Sequence, residues 1–243
     1  ESGDDGPTII VITPTYKRPE RLADMTRLFS QTLFNVRNLH WIVVEDGLTT
    51  IPAVEQILRR SGIPYKYLHG TTPKGAHSKS WLLLCLLFSI SVFSLKNYGD
   101  AVVYFADDDN SYDIRIFDQY IRRVKRIGVW AVGIVGAALV EAPRVVNNTV
   151  VAWDTVYAPN RQFAVDMAAF AIHLNEHLRV PTAYWKPATV PVPSESDFVA
   201  QFGIPMQELE PFGHDTSPKE LFVWHTKTHN LGTQGGRHGY LIE

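Results

Sequence analysis

The stretch AVVYFADDD, residues 101–109, decides the fold and indicates the chemistry of this chain. Its six apolar, β-branched and aromatic residues predict a buried strand, Ala101 to Ala106. In open α/β sheets, ligands collect at the carboxyl ends of the strands, where Asp107, Asp108 and Asp109 fall. Three adjacent carboxylates repel one another, so a cation is expected there. Oxygen ligands favour Mg²⁺, Mn²⁺ or Ca²⁺, and substrate phosphates often complete the shell of such a metal. The alternative is a solvated acidic turn in which Asp109 or Asn110 caps the next helix.

The composition is that of an ordinary globular chain. Its 243 residues can bury a core as one large domain or as two joined subdomains. With 23 basic and 25 acidic residues the net charge is −2, so nothing indicates a nucleic-acid partner. The single Cys85 excludes an internal disulfide and lies in an apolar stretch, which favours a packed thiol.

The first half alternates strands and helices. Strands are predicted at 8–13, 39–44, 63–68 and 101–106. Helices are predicted from about Pro19, from Pro52 to near Gly62, over Trp81 to Leu95, and over Ile116 to Val124. The run from Trp81 to Leu95 has only fifteen residues, short of the roughly 20 that span a bilayer, so it favours a buried helix. The alternation predicts a doubly wound, mostly parallel sheet.

The second half has a different texture. Apolar runs at 129–140, 150–156 and 222–224 follow one another without regular helices between them. We therefore expect residues 1–126 to bind a nucleotide and a metal, and residues 127–243 to form a smaller mixed subdomain that shares a cleft with them. No linker is long enough to separate independent domains.

Two predicted strands end in acids, one in Glu45-Asp46 and the other in Asp107-Asp108-Asp109. These acids are expected at one edge of the sheet, where they could hold the ribose or base of a nucleotide and a metal-bound diphosphate. The glycine patterns GxGxxG and GxxxxGK[ST] are both absent, which argues against dehydrogenases and P-loop NTPases. The pattern favours metal-dependent binding of a nucleotide sugar.

Several motifs together resemble the animal β-1,3-glucuronosyltransferases, in order and over nearly the whole chain. They are Thr13-Pro14-Thr15-Tyr16, Leu39-His40-Trp41 with Val44-Glu45-Asp46, Val103 to Asn110, Asp166-Met167-Ala168, and Val223-Trp224-His225-Thr226. The resemblance implies a GT-A-like glycosyltransferase fold. It also implies inverting transfer of glucuronic acid from UDP-glucuronic acid to a terminal galactose.

The resemblance also implies where the enzyme acts. Members of this family are type II membrane proteins with a Golgi-lumenal catalytic domain, and they are often homodimers. This chain opens with polar residues, so we expect it to be soluble as given, with the anchor absent. The sequon Asn147-Asn148-Thr149 is a glycosylation candidate if the chain enters the secretory pathway.

Donor and metal roles carry over by position. Pro14, Tyr16 and Asp46 match the uridine side of the donor site, Asp107 and Asp108 match residues near the ribose, and His225 lies on the diphosphate side. Asp109 matches the manganese ligand. Taken singly, Tyr16 could cap the core, and Asp46 with Gly47 could form a turn.

Glu195 matches the catalytic base. Independently, Ser194-Glu195-Ser196-Asp197 has the form of a capping box at the start of a helix with Phe198 and Phe202 on its apolar face. A carboxylate is favoured in such a first turn, so its role could be stabilisation alone. As a base, Glu195 would deprotonate the galactose 3-hydroxyl.

Glu141, Arg161 and Asp166 match the acceptor-binding residues of the family. The spacing of Arg161 and Asp166, five apart, agrees with the family pattern. The two side chains could equally form a surface ion pair of little energetic value.

Three basic positions depart from the family pattern. Its Arg-Gly-x-x-Gln-Arg-Asn segment reads here from Lys74 to Ser80, with Lys74 and Lys79 at the arginine positions, and Lys227 follows Thr226 where arginine is common. Lysine keeps the charge but loses the bidentate fork. Weaker donor binding or a changed donor is a consequence to test, and these lysines could also be ordinary solvated side chains.

Two other functions remain open on the residues alone. One is a glycan- or UDP-binding paralogue with little turnover, and the other is a metal-dependent phosphohydrolase that uses the same acids. The phosphohydrolase accounts for neither Glu195 nor the acceptor set. For a transferase, the acceptor is either the galactosyl-galactosyl-xylose linker of proteoglycans or the galactose of N-acetyllactosamine glycans.

Overall fold

A computed structural model describes residues 6–71, 96–185 and 194–226. A seven-stranded sheet lies at the centre of this part of the chain. Its strands are β1 (Thr8–Thr15), β2 (Leu39–Asp46), β3 (Tyr65–Gly70), β4 (Ala101–Phe105), β6 (Ile127–Val129), β10 (Phe170–His173) and β11 (Glu210–Pro211), in the spatial order β11-β6-β10-β4-β1-β2-β3.

The pairing in this sheet is mostly parallel, as predicted. β1 runs parallel to both β2 and β4, β2 parallel to β3, and β6 parallel to β11, whereas β10 is antiparallel to β4 and β6. The residues of β4 are all buried, as are all but the first of β1. Continuous apolar runs of this kind are typical of parallel strands covered on both faces.

The register brings the carboxyl ends of three strands to one edge. Thr15 pairs with Glu45 at the ends of β1 and β2, and Ile12 pairs with Phe105 where β4 ends. Tyr16, Asp46 and the acid triplet therefore leave the sheet on the same side, as expected from the sequence.

A second sheet contains five strands. They are β5 (Ser111–Tyr112), β7 (Val132–Val135), β8 (Ala138–Val146), β9 (Thr149–Asp154) and β12 (Val223–Trp224), in the order β5-β12-β7-β8-β9. Three strands of residues 127–243, namely β6, β10 and β11, complete the first sheet instead. Main-chain pairing thus crosses the boundary between positions 126 and 127, and the division into a nucleotide- and metal-binding part and a smaller mixed subdomain stays a prediction.

Five α-helices lie in the described ranges. They are α1 (Arg21–Gln31), α2 (Pro52–Ser61), α3 (Arg115–Gln119), α4 (Leu174–Arg179) and α5 (Ser194–Ala200). α2 confirms its prediction: Val54, Ile57 and Leu58 are buried, and Gly62 ends the helix with a left-handed φ of 67°.

Other helix boundaries differ from the predictions. α1 begins at Arg21, because the chain first turns, with the amide of Arg21 donating to the carbonyl of Arg18, so Pro19 precedes the helix. The helix expected to end at Val124 already ends at Gln119, and a 3₁₀ turn, Ile121–Arg123, follows it. Neither Asp109 nor Asn110 caps a helix, because β5 comes next and pairs with β12.

Some predictions fall outside the described residues: the helix from Trp81 to Leu95, the buried Cys85, and the lysines 74, 79 and 227. Among the helices of ranges 6–71, 96–185 and 194–226, none is long and apolar enough to cross a membrane.

Candidate active site

The ends of β1 and β2 supply the first wall of the site. Tyr16 follows β1, is 37% exposed, and has the guanidinium of Arg18 5.0 Å from its ring centre. Asp46 is the last residue of β2 and is partly exposed. Pro14 is buried inside β1, where it pairs with Val44. The exposed ring and carboxylate are therefore the groups that this wall presents.

Glu45 does not contribute to the edge as the sequence suggested. Its Oε1 lies 2.6 Å from Nη1 of Arg21, and its Oε2 accepts a hydrogen bond from the hydroxyl of Tyr67. Both Arg21 and Glu45 are buried. A buried charge needs such a partner, so this carboxylate is committed to the interior.

The three acids after β4 occupy different environments. Asp107 faces His225, with Oδ2 of the acid 3.7 Å from Nε2 of the imidazole. Burial raises the pKa of Asp107 to about 6, against the opposing effect of His225 and with help from the charges of Asp166 and Asp109. The facing Asp107 carboxylate in turn raises the pKa of His225. The pair joins β4 to the end of β12.

Asp108 is bound inside the protein. Arg18 donates to both of its carboxylate oxygens, over 2.8 and 2.9 Å, and the hydroxyl of Thr15 donates to Oδ2 over 2.7 Å. Burial raises the pKa of Asp108, and the hydrogen bonds from Arg18 partly offset that rise. These internal hydrogen bonds already engage both carboxylate oxygens of Asp108. The contact of Asp108 with a ribose stays a prediction.

Asp109 is held by its main chain. Its carbonyl accepts hydrogen bonds from Nη2 of Arg27 over 2.9 Å and from the hydroxyl of Thr226 over 2.8 Å. Its carboxylate makes no hydrogen bond or ion pair with the residues that the structure describes. Among those residues there is also no group of three or more His, Cys, Asp or Glu side chains that could cage a metal. Within ranges 6–71, 96–185 and 194–226, Asp109 therefore offers its carboxylate without a surrounding cage of acidic, histidine or cysteine ligands.

A pocket of about 250 Å³ opens beside this edge. Its lining contains five residues that the sequence proposed for catalysis or binding: Glu141, Arg161, Asp166, Glu195 and His225. The other lining residues are Val135, Gly136, Tyr157 and Val165. The predicted base, the three predicted acceptor residues and one predicted donor residue thus meet in one cavity.

Glu195 reaches the pocket from the first turn of α5. The helix starts at Ser194, one residue earlier than a Ser194 cap requires. Phe198 stacks on Trp185 with ring centres 4.5 Å apart, and Phe202 is buried, as the apolar face predicted. The hydroxyl of Ser196 accepts a hydrogen bond from the amide of Phe163 over 3.1 Å. Packing on one side and this bond on the other fix the helix that carries Glu195.

Glu141 lies in β8, and its side chain is as deeply buried as that of its neighbour Arg161. Its Oε1 accepts from the hydroxyl of Thr155 and from the amides of Val156 and Tyr157, over 3.3 and 3.2 Å for the amides. Its Oε2 lies 3.8 Å from Nη2 of Arg161. One oxygen is therefore saturated with donors, and the other is left to the cavity.

Arg161 is not part of a surface ion pair with Asp166. Its guanidinium is buried, donates to the carbonyls of Tyr157, Ala158 and Val165, and has Glu141 as its acidic neighbour. Asp166 caps the 3₁₀ turn Met167–Ala169 by accepting from the amide of Ala168 over 2.9 Å. Burial raises the pKa of Asp166. The alternative of a weak surface pair is wrong.

Sequence reasoning missed several residues that shape the site. Arg18 and Arg27 hold the acid triplet, Thr226 holds Asp109 from β12, Tyr157 lines the cavity, and Gly136 leaves room for Glu141. Arg18, Arg27, Tyr157 and Gly136 are single residues of common types that no spacing pattern singles out. The motif that contains Thr226 gave no sign of its hydrogen bond to Asp109.

The sequon lies at the tip of a hairpin. Asn147 and Asn148 link β8 to β9 with left-handed φ values of 48° and 61°, and both are exposed. Such a turn is readily accessible, and glycosylation of Asn147 stays a prediction.

The mostly parallel sheet with acids and a cavity at its carboxyl edge has the architecture of the GT-A fold. Residues 1–349 of TarS from S. aureus are similar in structure, with a TM-score of 0.53 and 12% identity over 90% of this chain and 60% of that one. At this identity the likeness shows the fold.

The chain belongs to glycosyltransferase family 43, whose model matches residues 29–229. It is 37% identical to galactosylgalactosylxylosylprotein 3-beta-glucuronosyltransferase 1 of Rattus norvegicus, over 91% of this chain and 69% of that protein. It is 38% identical to galactosylgalactosylxylosylprotein 3-beta-glucuronosyltransferase 2 of Mus musculus, over 93% of this chain and 70% of that protein. The family resemblance drawn from the motifs is confirmed.

Proposed function

We propose that this protein transfers glucuronic acid from UDP-glucuronic acid to the 3-hydroxyl of a terminal galactose, with inversion, in the linker region of proteoglycans. Relatives with this activity in their names support the reaction. One observation carries the proposal for this chain: Glu195, Glu141, Arg161, Asp166 and His225 line a single cavity at the edge where the acid triplet leaves the sheet.

The donor set at Asp109 fits a divalent cation that is shared with the substrate. A single hard oxygen ligand with no partner in the described residues suits Mn²⁺ or Mg²⁺ completed by diphosphate oxygens, and it does not suit a closed zinc site. We propose Mn²⁺. When bound, the cation would supply Lewis-acid stabilisation of the departing UDP.

Glu195 is the proposed general base. It accepts the proton of the galactose 3-hydroxyl as that oxygen attacks the anomeric carbon from the face opposite UDP, so a β linkage forms. Its position in the first turn of α5 favours the ionised carboxylate that this step needs. Such a base typically contributes about 10²- to 10⁴-fold to the rate.

Glu141, Arg161 and Asp166 are the proposed acceptor residues. Their polar groups converge on the cavity, and main-chain bonds hold Glu141 and Arg161 in place before a ligand arrives. A preorganised set of this kind orients a sugar hydroxyl toward the base.

Tyr16 and Asp46 are proposed to face the uracil, beside the buried Pro14. Asp107 and Asp108 are proposed near the ribose, and His225, with lysines 74, 79 and 227, near the diphosphate and the glucuronate carboxylate. Positive side chains there would neutralise a donor that carries several negative charges.

We further propose that the protein acts in the Golgi lumen as the catalytic part of a type II membrane protein with a signal anchor. Homodimers and a glycan on Asn147 would fit that setting. Expression in a secretory host, followed by a mass shift on glycosidase treatment that an Asn147→Gln variant lacks, tests the glycan.

The deciding experiment is a transfer assay with radiolabelled UDP-glucuronic acid. The acceptors are a galactosyl-galactosyl-xyloside and N-acetyllactosamine, each with Mn²⁺ and with EDTA, and UDP-glucose and UDP-xylose replace the donor in parallel. We expect Mn²⁺-dependent transfer to the linker acceptor and a β product by NMR. Binding of UDP or glycan without transfer would favour the non-catalytic paralogue, and UMP release without a glycoside product would favour the phosphohydrolase.

A matched pair of variants tests the base. Glu195→Gln should lower transfer by about 10²- to 10⁴-fold while UDP affinity is kept. Asp197→Asn makes the same acid-to-amide change two residues along α5, outside the cavity lining, and should keep the rate. Full transfer by Glu195→Gln would remove Glu195 from the mechanism.

A further inference from the structure

Three charged residues, one before α1 and two within it, form a connected network, which we call the α1 clamp: Arg18, Asp24 and Arg27. Asp24 is buried and bridges the two arginines, with Oδ2 2.9 Å from Nη2 of Arg18 and Oδ1 3.2 Å from Nη1 of Arg27. The carboxylate thereby fixes the position of both guanidinium groups.

Each arginine of the clamp reaches one of two consecutive acids. Arg18 donates to both carboxylate oxygens of Asp108, and Arg27 donates to the carbonyl oxygen of Asp109. Bidentate arginine–carboxylate contacts fix orientation as well as distance. The clamp thus holds the turn after β4 at two successive residues.

Thr226, two residues after β12, holds the same carbonyl of Asp109 over 2.8 Å. Its hydroxyl has a single proton, which it uses in that bond, so the nearby hydroxyl of Ser111, 3.0 Å away, must donate to Thr226. The main chain of Asp109 is therefore held from both sides, while its carboxylate has no internal partner among the described residues. Anchoring the backbone leaves the carboxylate with few directions to point.

We propose that Arg27, steadied by Asp24 and Arg18, positions the carboxylate of Asp109 for the divalent cation. This inference rests on the proposed function of Asp109. The clamp does not touch substrate or metal in this proposal; its arginines act through the backbone and side chains of the acid triplet.

The positive charge of Arg27 and its role as an anchor of Asp109 predict opposite changes in metal affinity when Arg27 is removed. Loss of a nearby positive charge by itself strengthens the binding of a cation. Loss of an anchor that orients a ligand weakens it, typically by about 10- to 100-fold. The sign of the change in metal affinity therefore separates the two roles.

The experiment measures Mn²⁺ affinity in the presence of UDP, by the EPR signal of free Mn²⁺, for the whole chain and its variants. Arg27→Met should weaken Mn²⁺ binding by about 10-fold or more, and Arg27→Lys, which can still donate to the carbonyl of Asp109, should recover most of it. Arg59→Met is the control, because Arg59 is 74% exposed on α2 and its salt bridge is with Glu55 on the same helix, away from the acid triplet. The UDP affinity and the melting temperature, both measured without metal, show whether each variant is correctly folded.

The outcomes are distinct. Unchanged or tighter Mn²⁺ binding by Arg27→Met, with the wild type binding normally, overturns the clamp and leaves the proposed function intact. No Mn²⁺ binding by the wild type with UDP overturns both. If Arg27→Met does not fold, Arg27→Gln decides instead: its shorter side chain stays polar but no longer reaches the carbonyl of Asp109, and full Mn²⁺ affinity in that variant would also overturn the inference.

Discussion

Nη2 of Arg161 lies 3.8 Å from Oε2 of Glu141, and the two side chains are each 5% exposed. The arginine completes its hydrogen bonds on three carbonyls, so Glu141 is an acidic neighbour that is free to accept from a ligand. The pair couples the loop after β9 to β8 and places a charge of each sign in the cavity.

Substitution of Glu141 tests whether this arrangement binds the acceptor. Glu141→Gln replaces a charged acceptor of hydrogen bonds with a neutral one, which costs about 1.5 to 3 kcal/mol if a sugar hydroxyl donates to it. The KM for the galactose acceptor should rise about 10-fold or more at the same cost, while the affinity for UDP stays constant. Steady-state kinetics at varied acceptor measures the effect, and an unchanged KM would argue against acceptor binding at Glu141.

Gly136 offers a steric test of the same carboxylate. A Cβ at this position would collide with Oε1 of Glu141, and the residue has a left-handed φ of 59°. Gly136→Ala should therefore displace Glu141 and raise the acceptor KM. Gly62→Ala is the matched control, because Gly62 has a φ of 67° but nothing within 4 Å of the added carbon. Both variants should lose about 1 to 2 kcal/mol from left-handed strain, and only Gly136→Ala should lose acceptor affinity.

The buried ion pair of Arg21 and Glu45 predicts that removing the arginine lowers the stability of the fold and leaves the chemistry of the cavity unchanged. Arg21→Met leaves Glu45 as an uncompensated buried charge, so the free energy of unfolding should fall by about 3 to 5 kcal/mol. Denaturant unfolding measures it. Arg59→Met, which breaks an exposed pair with Glu55, should cost well under 1 kcal/mol. Equal losses in the two variants would contradict the buried-pair assignment.

His177 predicts how stability depends on pH. It is buried against Phe198 and Phe202, with ring centres 6.1 and 5.1 Å away, and burial lowers its pKa to about 3. Its folded pKa lies below its unfolded value of about 6.5, so the unfolded chain binds a proton first as pH falls. Stability is full above the unfolded pKa and should decline between about pH 6.5 and 3, by at most about 1.4 kcal/mol per pH unit.

Two variants isolate that contribution. His177→Leu should flatten the decline in unfolding free energy below about pH 6.5, whereas His69→Leu, at an exposed position of β3, should keep it. The slope measured by denaturant titration at several pH values decides, and identical slopes for wild type and His177→Leu would show that other groups cause it.

The sequence was a good guide where local pattern and burial agree. The apolar runs of β1, β2 and β4 and the face of α2 with Val54 and Leu58 appear where periodicity placed them. The acid triplet fell at a strand end because apolar runs end where the sheet meets its edge. The residue types in the motifs, and the order of those motifs along the chain, also led to the family.

What distinguishes the three acids was beyond the reach of the sequence. Asp107, Asp108 and Asp109 are identical in type and adjacent, yet one faces His225, one is held by Arg18, and one leaves its carboxylate open. His225, Arg18 and Thr226, which contact these three acids, are each 90 or more residues away from them along the chain. Glu45 and Asp46 are also adjacent, yet Glu45 is buried and Asp46 is partly exposed, because successive side chains of a strand point to opposite faces.

By itself, the sequence determined the order of strands and helices, the edge at which the acids gather, and the residue types available for transfer chemistry, since these follow from hydrophobic periodicity and local spacing. Only the tertiary structure decided which acids are neutralised inside the protein and which face the cavity. Long-range pairing sets those choices, because a buried charge is tolerated only where packing brings it a partner.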